Sequence, residues 1–87
     1  VRLMATETQL HAIPLWLLRE YLEEVGGEAV ADDQVVGDGW QAKLEKMPPR
    51  EIGSLRVGIV QITLDGSSEA LAEVLPELEK RTMRAGA

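Results

Sequence analysis

His11 is the only histidine in the chain, and Glu7 is the one acid close to it in sequence. An imidazole works as a general base when a partner within hydrogen-bond reach orients it, so a catalytic role at His11 requires Glu7 or another acid beside it. A loop histidine ahead of Pro14 requires nothing. Asp32, Asp33 and Asp38 offer oxygen ligands for a hard cation, but they lack the alternating acids, glycine and closing glutamate of a calcium loop. Asp65, Gly66, Ser67 and Ser68 stand where a strand gives way to a helix. Backbone N–H groups there can hold an anion, and ordinary helix capping accounts for the same four residues. The serines have no histidine and acid at suggestive spacing, which argues against a hydrolase triad. No catalytic residue, metal ligand or cofactor is assigned.

The composition sets further bounds. With 87 residues and 45% hydrophobic content, the chain supports a single domain, 1–87, around one core. Cysteine is absent, which removes disulfides, thiolate metal sites and thiol nucleophiles. The net charge is −6, and Glu20, Glu23, Glu24, Glu28, Asp32, Asp33 and Asp38 follow one another with no lysine or arginine among them. That field repels phosphate, so no nucleic-acid partner is expected. Apolar runs fall far short of the roughly 20 residues a membrane-spanning helix needs, and no signal-peptide pattern opens the chain. No membrane partner is expected, and the cytoplasm is the default location. The absence of asparagine and phenylalanine fits a thermophilic source.

Hydrophobic periodicity supplies the elements. A first strand is expected from Val1 to about Glu7, with Val1, Leu3 and Ala5 on one face and Met4 on the other. Pro14 suits a helix start and Gly26 or Gly27 its end, with Leu15, Leu18, Leu22 and Val25 as the apolar stripe between them. Trp16 lies off that stripe, beside Leu17, on the side of Glu20 and Glu23. The acidic stretch from Glu28 to Gly39 reads as a loop with a short strand near Val35. A second full strand carries Trp40, Ala42 and Leu44 inward and Gln41, Lys43 and Glu45 outward. Met47 to Gly53, with Pro48 and Pro49, reads as a turn. In the third strand the apolar set changes phase, from Leu55, Val57 and Ile59 to Val60, Ile62 and Leu64. That pattern means a bulge or a strand with two apolar faces. Ser67 caps a final helix from Ser68 to about Met83, which Pro76 should kink or divide near Val74.

The order strand, helix, strand, strand, helix predicts an α+β fold. It has a three-stranded mixed sheet with the third strand in the middle and both helices on one face. This order resembles the ferredoxin-like fold without its last strand, which leaves the first strand as an open edge. Amino-acid-binding regulatory domains of that fold use a glycine-containing first turn, whereas this chain has Thr8, Gln9, Leu10, His11, Ala12 and Ile13 there. Over Trp16 to Gly27 and Gly39 to Gly66 the chain also resembles small hypothetical proteins of Thermus-type thermophilic bacteria, grouped as domains of unknown function. That resemblance implies no activity.

The leading expectation is a self-associating interaction module, a homo-oligomer with a dimer favoured. Its candidate interface residues are Trp16, Leu17, Val1, Leu3 and Met4. Tryptophan off an apolar stripe either anchors an interface or is covered by the Glu28 to Asp38 segment. The second expectation is a small-molecule regulatory module with a pocket at the open sheet face or a subunit interface, lined by Trp40, Val60, Ile62 and His11. An enzyme ranks third.

Overall fold

The computed structural model describes residues 3–84. In chain order they form β1 (Met4–His11), α1 (Leu15–Glu24), β2 (Glu28–Ala31), β3 (Gln34–Gly37), β4 (Trp40–Ile52), β5 (Leu55–Ser67) and α2 (Ser68–Arg84). The strands make one five-stranded sheet in the order β1-β5-β4-β3-β2, and every neighbouring pair is antiparallel.

This corrects the three-stranded, ferredoxin-like expectation while keeping an α+β architecture with two helices. The acidic stretch is a hairpin of two four-residue strands rather than a loop. Those strands are too short for a period of two to show, and acids flank them on both sides. Val35 is what holds the hairpin in place. It sits fully buried opposite Ala42 of β4, so one apolar side chain outweighs the polar character of its neighbours. The first strand also begins and ends later than expected, continuing through Thr8, Gln9 and Leu10 to His11 beside β5. Val1 lies outside the described residues.

β5 lies between β1 and β4, and its alternation builds the core. Val60, Ile62 and Leu64 point towards the helices, in rows with Ala42 and Leu44 of β4. Leu18 and Leu22 of α1 and Leu71, Val74 and Leu78 of α2 close over them. Burying each such side chain contributes roughly 1.5 to 3 kcal/mol. Gly26, with φ of 107°, ends α1 in the left-handed conformation, and the Gly27 N–H donates to the Leu22 carbonyl at 3.0 Å. Ser67 Oγ accepts from the Ala70 N–H at 3.1 Å, which caps α2. Pro76 does not divide α2. Ala72, whose carbonyl lacks an N–H partner at Pro76, is exposed, which leaves that carbonyl open to solvent. Across the top, Arg81 Nε donates to Glu24 Oε1 at 2.9 Å and ties α2 to the end of α1.

Trp40 fills the corner where β3, β4 and β5 meet α1. Its indole occupies the space where side chains at Gly27 and Gly37 would stand, and its backbone approaches Gly66 so closely that a Cβ there would strike Trp40 Cα. Overpacking such a corner costs about 1 to 3 kcal/mol. Gly37→Ala should therefore lower the urea midpoint by a corresponding amount. Gly58→Ala, at a position with open space around it, should leave the midpoint nearly unchanged; equal effects would refute this account of the corner.

Candidate functional site

β1 pairs with β5 only from Val60 to Ser67, and β3 pairs with β4 only from Trp40 to Lys43. Between Met47 and Ile59 the chain is consequently a two-stranded ribbon with no third strand beside it among the described residues. Its turn is Gly53 and Ser54, with φ of 62° at Gly53, matching the glycine-first pattern of two-residue type II′ hairpins. The two thirteen-residue strands extend about 43 Å and account for the long axis of a molecule measuring 50 × 22 × 20 Å. The expected turn from Met47 to Gly53 is thus mostly strand. Pro48 and Pro49 are tolerated because this edge of β4 has no neighbour to bond and the register shifts between Met47 and Arg50.

That shift answers the phase change in β5. The extra residue belongs to β4, while β5 keeps one register against β1 throughout. Leu55, Val57 and Ile59 therefore face away from the helices, opposite to Val60, Ile62 and Leu64. Ile52 stands across from Leu55 and Met47 across from Ile59, so both join the same side. Ile52 is 58% exposed and Leu55 67%. The arm has one apolar side, exposed at Ile52 and Leu55 and half-buried at Met47, Val57 and Ile59.

The other side of the arm carries Lys46, Arg56 and Gly58. At its root is a groove of about 480 Å³ between this side and the turn of Ala12, Ile13 and Pro14 that leads into α1. Val60 and Ile13 supply buried apolar surface, and Lys46 and Arg56 are the ionic side chains along it. His11, Val60 and Lys46 form one row across the sheet. His11 is half-buried, its Nε2 lies 2.8 Å from Gln9 Oε1, and burial holds its pKa below the usual imidazole value. Its partner is Gln9, whereas Glu7 pairs in register with Leu64. Among the described residues no three acidic or histidine side chains are placed to share a metal ion.

The expected site residues do not converge. Trp16 is 56% exposed on α1, and the Glu28 to Asp38 segment does not cover it. Leu17 packs partly against the core. Leu3 and Met4 are exposed near the β1 edge. Trp40 and Ile62 belong to the core beneath the helices, Val60 borders the groove, and His11 stands beside it. Lys46, Arg56, Gly58 and Ile13 escaped sequence reasoning. One available signal was the change of charge sign after Glu45, since Lys46, Arg50 and Arg56 face a single acid, Glu51, between positions 46 and 58.

A sheet with helices on one face and a hairpin projecting from it defines a small α+β domain. Residues 6–87 match the family described as archaeal MoaD-like protein, and the chain belongs to that family. The match is neutral on a thermophilic source. No curated protein matches the chain. Among the described residues no helix is long and apolar enough to cross a membrane.

Because His11 is the sole histidine, its ring protons report one titration, with a midpoint expected below 6.5 by NMR. The folded value lies below the unfolded one, so the unfolded chain binds the proton more readily. This contribution to stability is complete above pH 6.5 and is lost as pH falls through the folded value. His11→Gln should remove that part of the pH dependence of the urea midpoint. A midpoint at or above 6.5 would contradict the burial seen here.

Proposed function

We propose that this domain is a self-associating interaction module, and that two copies cover each other's arms through the sides bearing Leu55, Val57 and Ile59. The observation that carries the reading is the apolar side of a two-stranded ribbon, exposed at Ile52 and Leu55. An isolated hairpin of this kind is marginal in water, and contiguous exposed apolar surface marks a contact site. Stacked face to face, two such ribbons would lie about 10 Å apart with their side chains interdigitated.

Charge placement favours a second copy as the occupant. On the apolar side of β4 the order from body to tip is Glu45, Met47, Arg50 and Ile52, since Glu45 shares a side with Met47, and Arg50 stands opposite Val57. A two-fold axis near Met47 and its cross-strand partner Ile59 brings Arg50 of each copy towards Glu45 of the other. The wider balance agrees: positions 46 to 58 carry three cations and one acid, leaving six cations and fourteen acids elsewhere from totals of nine and fifteen. A basic arm thus crosses an acidic body, which favours that alignment over its alternatives.

Sedimentation velocity at micromolar concentration should show a dimer. Val57→Lys or Leu55→Lys should raise its dissociation constant at least about tenfold, equivalent to ~1.4 kcal/mol, with the far-ultraviolet circular dichroism unchanged. A monomer at every concentration overturns the reading. Dissociation by Trp16→Ala in place of the arm substitutions would overturn the arm as the interface and assign the contact to the helix side.

A further inference from the structure

The groove at the root of the arm borders the apolar side, sharing Met47, Val57 and Ile59 with it, and opens towards Ala12, Ile13 and Pro14. We propose that it binds a small organic carboxylate with an apolar body. Its volume, about 480 Å³, falls within the range of roughly 300 to 1,000 Å³ typical of ligand pockets. Gly58 opens it: no atom lies within 4 Å of where a side chain there would begin. Ile13, Val60 and Pro49 provide the apolar surface against which a hydrocarbon or aryl group rests.

Charge selects the ligand. In a chain of net charge −6, the ionic side chains along this groove are both cations. Lys46 stands across from Val60 near the body, and Arg56 lies four residues along β5 towards the tip, so the two bracket Gly58. Arg56 has only a loose contact with Glu51, at 3.8 Å between exposed groups, which a ligand carboxylate can replace at little cost. Arginine and lysine donate to a carboxylate without needing a proton from the ligand. α1 begins at the same turn without a side-chain cap and without an acid in its first turn, so the helix end adds positive potential and no competing charge. An amine would meet like charge, and a neutral chain would gain only the apolar contact.

Octanoate, octanol and octylamine are the probes, each titrated into the 15N-labelled protein. Octanoate should shift the amides of Ile13, Gly58 and Val60 with saturable, millimolar or tighter affinity, and octylamine should not. Lys46→Gln with Arg56→Gln should weaken octanoate at least about tenfold and leave octanol unchanged; Gly58→Leu should block both. The inference is overturned if octanoate leaves these amides unmoved, if octylamine binds equally well, or if the double substitution has no effect. Repeating the titration in Leu55→Lys, which lies outside the groove, separates this result from the state of assembly.

Discussion

Everything in this domain depends on β5 keeping a single register while its two neighbours stop at different points. β1 follows it from Val60 to Ser67, and β4 follows it along its whole length. Side chains on a strand alternate strictly, so an unbroken β5 must send Val60, Ile62 and Leu64 one way and Leu55, Val57 and Ile59 the other. The first set has helices over it. The second extends past the point where β1 and β3 end, with only β4 beside it. A shift of one residue within β5 would have sent both sets to the same face, leaving the arm's apolar side turned towards the helices and its charged side outward.

The β4 bulge makes this arrangement compatible with the sequence of the opposite strand. Without an extra residue near Pro48, Arg50 and Ile52 would change sides relative to Val57 and Leu55. Ile52 would then join Arg56 and Gly58, and Glu51 would intrude among the apolar side chains. With it, Met47 and Ile52 reinforce the apolar side, and Glu51 comes within 3.8 Å of Arg56 on the other. The prolines locate the irregularity, because neither has an N–H to donate to a ladder. They also leave the outer edge of the arm poor in donors, which discourages edge-to-edge pairing.

Much of this was legible in the chain, and the failures have physical causes. The two helices, their boundaries at Gly26 or Gly27 and at Ser67, and the inward set Trp40, Ala42 and Leu44 follow from periodicity and capping chemistry that act locally. β2 and β3 do not, since four-residue strands carry too few alternations and Val35 declares its burial only once Ala42 is opposite it. The arm was concealed by Pro48 and Pro49, read as a turn on the assumption of neighbours to bond; here β4 has none on that side. The groove was illegible for a different reason. Ile13, Lys46 and Gly58 are far apart in sequence, and only the register of β5 against both neighbours brings them together.

The two sides of the arm make different demands on what they meet. The side of Leu55 and Val57 is largely apolar, with Glu45 towards the body and Arg50 opposite Val57 as its ionic groups, which suits a surface of the same pattern. The opposite side is narrow, hollowed at Gly58 and positive at both ends, which suits something small and negative. The two are contiguous, because Met47, Val57 and Ile59 of the first also line the groove of the second. Fixing the ribbon fixes the spacing of Lys46 and Arg56, and a site whose charges are already held in place loses less entropy when it is filled. The phase change in β5 therefore couples the two surfaces physically, through the one two-stranded ribbon that carries both.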